Sequence, residues 1–163
     1  MYSITKKAII LGIIIAILPA ASFAKTISTE SEKVCLAKAI YHESKSEPEI
    51  GKKGVAKVVL NRKQHHKFPK SICGVINETS IVNGRKLYQF SWVPSQHKVK
   101  LNKELWEDSL DLSGDILNNR VSLPNFGPNV LYFKSIKSRV RFGNNYRLIQ
   151  RIGKQNFYEK KNV

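Results

Sequence analysis

Pro48 separates two stretches that each carry helical periodicity, and this pair of helices constrains the chain more than any other feature. In the first, Val34, Ala37, Ile40 and Tyr41 fall at helical spacing, with Leu36 and Ala39 filling the flank. Residues 25–32 are polar and end in a helix-start signal. Ser28 or Thr29 caps, and Glu30 and Glu32 suit the positive end of the helix dipole. The helix should end near Lys45. Ser46 or Glu47 then caps a second helix, with Pro48 at its first position. That helix carries Ile50, Gly54, Val55, Val58 and Val59 on one side and runs to about Arg62. Gly51 and Gly54 weaken it intrinsically, which points to close helix packing there.

Beyond Arg62 the pattern shortens. Gln64–Lys70 is a polar loop, and Ser71–Asn77 makes one short helical turn. Residues 80–100 lack helical period, and Asn83-Gly84 is a turn signal between two short extended pieces. Asn102 begins a third long helix, with Leu105, Trp106, Leu110, Leu112, Ile116 and Leu117 as its apolar set. Pro124 and Pro128 bracket a loop, and Val130–Phe133 and Tyr146–Ile152 read as short strands or a terminal hairpin. The expectation is a single α+β domain, mainly helical, with a small strand region.

The first 24 residues read as a separate segment. Lys6 and Lys7 precede an apolar run, Ala8–Leu18, interrupted only by Gly12. Pro19 breaks the run, and Ser22-Phe23-Ala24 supplies the small residues of a cleavage site. Residues 1–24 are therefore expected to be a secretory signal peptide and 25–163 the mature domain. The run is shorter than the roughly 20 residues of a spanning helix, and no later segment is apolar enough to span. No stable membrane insertion is expected after cleavage, and the destination is the periplasm, the extracellular space or the cell wall.

Export changes what the other residues mean. With 28 Lys and Arg against 12 Asp and Glu, the formal net charge is +16. In the cytoplasm that would first suggest nucleic acid. Outside it, the abundant polyanions are cell-wall polymers and anionic head groups, so nucleic acid is not the expected partner. Cys35 and Cys73 are the only cysteines. Either they form one disulfide, contributing about 3–4 kcal/mol through loop closure, or they are two buried thiols.

The segment richest in chemistry is Ala39–Glu47. Glu43 follows directly on the buried face set by Ile40 and Tyr41, and Glu47 stands at the helix end. A carboxylate at the edge of an apolar cleft has its charged form disfavoured, so it holds its proton to higher pH, as a general acid must. His42-Glu43 resembles the start of a zinc-protease motif, but that motif needs a histidine where Ser46 stands. His65, His66 and His97 show no ligand spacing, and neither a serine-hydrolase elbow nor a phosphate loop occurs. No metal or cofactor is called for.

Four blocks occur in order: Cys35-Leu-Ala-Lys-Ala-Ile-Tyr-His-Glu43-Ser-Lys-Ser-Glu47-Pro48; Gly54-Val-Ala-Lys-Val-Val-Leu-Asn-Arg62; Phe68-Pro69 with Ile72-Cys73-Gly-Val75; and Gln89-Phe-Ser-Trp92. Together they resemble the cell-wall hydrolase family of the spore cortex-lytic enzymes, and weaker similarity reaches Phe157-Tyr158. The resemblance implies a lysozyme-like fold and cleavage of peptidoglycan glycan strands. It places the catalytic glutamate on Glu43, and Glu47 on the second glutamate of the same block. Gln89, Ser91 and Trp92 fall on a block lying along the substrate cleft, although Phe90 and Trp92 suit a core equally well. Tyr132 joins Glu47, Gln89, Ser91 and Trp92 as a substrate-binding candidate.

Three departures stand out. Ser44-Lys45-Ser46 replaces Ala-Arg-Gly, and Tyr88 stands where many relatives have cysteine, so Cys73 pairs with Cys35 or stays free. Gln155 replaces a histidine near the end, in what is expected to be a structural role.

Carboxylate counting bears on mechanism. Ordinary glycosidases need two carboxylates flanking the bond. The acidic residues at 104–115 look like the solvated face of the third helix, and none is obvious near Gln89–Trp92. One carboxylate suffices if the muramic acid C6 hydroxyl attacks its own C1, as in the lytic transglycosylases of the similar family. The alternatives are a hydrolytic muramidase, a wall-binding protein that has lost turnover, and an exported polyanion binder. The last explains the charge but not the ordered blocks.

Overall fold

The computed structural model describes residues 20–161, with side chains from Thr29 onward. The proposed leader lies mostly on residues 1–19, outside the described residues. Helix α1 spans Ala20–Ser44, α2 Glu49–Gln64, α3 Ile72–Asn77 and α4 Lys103–Leu117. A hairpin of β1 (Thr79–Val82) and β2 (Arg85–Tyr88) follows α3. A three-stranded antiparallel sheet closes the fold, with β3 (Val130–Ser135), β4 (Tyr146–Ile152) and β5 (Gln155–Lys160) in the order β3-β5-β4. No helix among the described residues is long and apolar enough to cross a membrane.

Several local expectations need correction. The first helix does not start at Ser28 or Thr29: the chain is already helical at Ala20, the first described residue. Capping residues favour a start without forcing one, and no Gly or Pro interrupts the chain from Ala20 to Glu47. Glu32 does not serve the start of its own helix. The Ile72 N–H donates to both oxygens of its carboxylate at 2.9 Å, and Lys63 pairs with it at 3.2 Å, so it caps α3 from α1. At α2 the N-cap is Pro48 itself, without a side-chain bond, and Glu49 begins the helix. Ile50, expected inside, is 47% exposed; the buried stripe passes through Gly51, Gly54, Val55, Val58 and Val59 instead.

Gly54 does permit close approach, but to the sheet. A Cβ there would lie 2.6 Å from Phe157 Cζ on β5. Phe157 is fully buried and stacks on Phe126 at 5.3 Å. It joins Val58, Val130 and Ile152 in a small cluster between α2 and the sheet. The larger core packs Leu36, Ile40, Val59, Ile72, Val75, Phe90 and Ile116 among the helices. α4 starts at its expected cap, with Asn102 Oδ1 accepting from Leu105 N at 3.0 Å. It turns Ser109, Ser113 and Ile116 inward and its acidic residues outward.

The Asn83-Gly84 turn forms as expected, with φ of 50° and 72°. Val93–Lys98, where no helical period was visible, forms a 3₁₀ segment with Pro94 in its first turn. The terminal hairpin pairs β4 with β5, a strand that the sequence reading did not separate out. A disulfide joins Cys35 and Cys73, with Cα atoms 5.2 Å apart, and ties α1 to α3 beside the Glu32 cap.

Candidate active site

Glu43 lies three residues beyond Ile40 and seven beyond Leu36, so helical geometry sets it on the buried stripe of α1. Burial pushes its carboxyl above the usual carboxylate range. Two weaker effects pull the other way: the N–H of Trp92 and the positive charge of Arg62. The Trp92 Nε1–H donates to Glu43 Oε1 at 2.9 Å. The same indole stacks on His42, with ring centres 4.3 Å apart and planes 15° from parallel. Burial, then Lys45 and Lys38, holds His42 below the ordinary histidine range.

The tip of the β4–β5 hairpin holds the main chain around Glu43. Gln155 Nε2 donates to the Glu43 carbonyl at 3.0 Å. The Lys154 N–H donates to Glu47 Oε2 at 2.7 Å. Glycine is required at Gly153, where φ is +56° and a Cβ would collide with the Glu47 carboxylate. The residue that departs from the family pattern, Gln155, thus anchors the backbone of Glu43.

Arg62 forms the floor. It is 3% exposed, and its Nε donates to the Leu131 carbonyl at 2.8 Å. That carbonyl lies where the β3–β5 register shifts, so the bulge turns a main-chain acceptor toward α2. With its carboxamide oxygen toward Arg62, Gln89 accepts from Nη2 and Nη1 at 2.9 and 3.1 Å. The guanidinium also lies 5.4–5.8 Å from the ring centres of Phe68, Phe90 and Tyr132. Burial lowers its pKa to about 10, which leaves it charged at neutral pH. Glu78 provides opposing charge, although burial raises its own pKa and its Oε2 is enclosed without a hydrogen-bond partner.

Above this floor lies a cleft of about 350 Å³. Tyr88–Ser91 supply one part of its lining, and Phe133, Lys134, Ser138, Val140 and Phe142 another, with Glu43 and Arg62 beneath. Of the sequence candidates, Glu43, Gln89 and Ser91 line the cleft. Trp92 and Glu47 brace the segment that carries Glu43, and Tyr132 lies under Arg62 and edge-on to Tyr146 at 5.1 Å. Sequence reading missed Arg62 as a site residue. Its signal was a lone cation in helical register with Val55, Val58 and Val59. It also missed Lys134 and the loop after β3, for which no local pattern existed.

Replacing Trp92 by phenylalanine keeps the ring and removes the donor that favours the ionised carboxyl. Glu43 then titrates higher still, which a ¹³C NMR titration of its side-chain carboxyl will register.

A half-buried glutamate at the end of a core helix faces a cleft between helices and a small sheet, and the fold is of the lysozyme-like class. The chain belongs to the cell wall hydrolase family, whose model matches residues 46–158. The match begins just after Glu43, which lies outside it. The catalytic domain of the germination-specific lytic transglycosylase SleB from Bacillus anthracis is similar, with a TM-score of 0.53 and 26% identity over 77% of this chain and 92% of that one. The catalytic domain of Bacillus cereus SleB superposes with a TM-score of 0.48 at 25% identity, over 78% of this chain and 89% of that one. The spore cortex-lytic enzyme of Bacillus cereus is 41% identical over 54 residues, 31% of this chain. The chain spans about a fifth of that curated relative's length, 21%.

Proposed function

We propose that this chain is an exported enzyme that cleaves peptidoglycan glycan strands between N-acetylmuramic acid and N-acetylglucosamine by lytic transglycosylation, with Glu43 as general acid and base. One observation carries the choice of mechanism. Among the described residues lining the cleft, Glu43 is the one carboxylate. A retaining or inverting hydrolase needs a second across the scissile bond. Here the substrate's own muramyl C6 hydroxyl takes the nucleophile's part.

Glu43, whose site lets it keep its proton to higher pH than an ordinary carboxylate does, donates that proton to the glycosidic oxygen as the C1–O bond breaks. The carboxylate so formed is stabilised by the Trp92 N–H and by the nearby charge of Arg62. It then takes the proton of the C6 hydroxyl as that oxygen bonds to C1, which closes the 1,6-anhydro ring and restores the acid. The apolar run before Pro19 and the disulfide support export. The net positive charge favours encounter with a polyanionic wall.

Mass spectrometry of peptidoglycan digested with residues 25–163 tests the reading. Anhydromuropeptides are the expected products. Reducing muropeptides alone would establish hydrolysis instead. Wall binding without any product would reassign the chain as a binding protein on the same fold.

A further inference from the structure

Two ammonium groups stand beside the cleft without carboxylate partners among the described residues. Lys134 lines the cleft itself. Its Nζ donates to the Val140 carbonyl at 2.7 Å and lies 5.3 and 5.7 Å from the ring centres of Phe142 and Tyr158. One hydrogen bond uses one of its three donors and leaves two for a ligand. Lys86, exposed on β2, holds its Nζ 5.3 Å from the ring centre of Tyr88, which also lines the cleft. The loop after β3, which supplies Ser138, Val140 and Phe142 to the cleft, adds the exposed cations Lys137, Arg139 and Arg141 and no acid.

A merely soluble surface would intermix its charges. Here the acids gather elsewhere: α4 carries five of the chain's 12 acidic residues, and none of those five lines the cleft. Cations over aromatic rings suit a saccharide that bears a carboxylate, because the ring packs on the sugar face and the ammonium takes the anion.

We infer that the cleft selects glycan strands whose muramyl side chains carry free carboxylates, with Lys86 and Lys134 as the cations that receive them. The inference rests on the glycan-cleaving reading above. It makes the two lysines specificity determinants: they act on substrate affinity, and proton transfer remains with Glu43.

The test uses one preparation of peptidoglycan strands in two forms, native and with carboxylates capped as neutral amides by carbodiimide and ethanolamine, at low ionic strength. The expected result is a KM about tenfold higher on capped strands, the scale of one charge-assisted contact. Lys86→Gln and Lys134→Gln each raise KM several-fold on native strands and leave it unchanged on capped ones. Lys134→Arg retains the preference, and Lys86→Gln, on an exposed strand, decides the matter if Lys134→Gln fails to fold. Equal KM on the two strand forms for the unmodified protein overturns the selection. Equal losses by the variants on both forms overturn the assignment to these lysines. No cleavage of either form overturns the glycan-cleaving reading itself, and this inference with it.

Discussion

Glu43→Gln lowers turnover of peptidoglycan by roughly 10³-fold, within the range that removal of a positioned acid and base produces, while binding to sacculi persists. Glutamine keeps the size of the side chain and can still face the Trp92 N–H with its carbonyl oxygen, but it has no proton to cycle. The same substitution has a second, opposite consequence. Because burial raises the Glu43 pKa, the folded state holds this proton at pH values where the unfolded chain has released it. Its contribution to stability is therefore full below the ordinary glutamate range and lost as pH rises through the elevated value. Wherever the unfolded chain has released this proton, burying the group opposes folding, and the neutral glutamine removes that opposition. The variant should melt higher than the parent near neutrality, and the difference should vanish below about pH 4. Release of soluble muropeptides and thermal unfolding at the two pH values check both halves. A variant that is inactive yet more stable marks a residue held in place for chemistry, since an ordinary structural residue loses stability when it is replaced.

Arg62→Ala destabilises the fold by about 3–5 kcal/mol, the scale expected when one member of a buried charged network is removed. The loss is large because Arg62 serves several groups at once. Without it the Leu131 carbonyl at the bulge, the Gln89 carboxamide and the enclosed carboxylate of Glu78 lose their cation together. Phe68, Phe90 and Tyr132 would surround a cavity where the guanidinium lay. Lysine is a poor substitute: an ammonium cannot reproduce the planar fork that reaches one acceptor through Nε and another through both Nη atoms. Urea unfolding measures the effect, and Arg62→Lys should recover less than half of it.

Legibility followed the range of the interaction. The α1–α2 pair, the Asn102 cap and the Asn83-Gly84 turn were readable because each depends on residues within a few positions of one another. Glu43 was readable for the same reason, since its place on the buried stripe follows from Leu36 and Ile40. Glu47 marks the boundary. The resemblance suggested a role at the substrate, and the structure adds that its carboxylate holds the main chain of Lys154, 107 residues away. Ile50 fits helical period, yet the sheet approaches α2 from the glycine side and leaves that isoleucine at the surface.

By itself the sequence determined that long helices flank Pro48 and follow Asn102, which glutamate joins the stripe of the first, and which two cysteines were available to pair, because these follow from local periodicity, capping and count. Only the tertiary structure decided that Gln155 and Lys154 hold the end of α1 and that Arg62 is the charged floor of the cleft. It also decided that Lys134 faces the cleft. Those contacts join segments 69 to 112 residues apart or depend on how β3 is placed against α2. Such pairings arise from packing the sheet onto the helices, and no residue pattern along a single element records them.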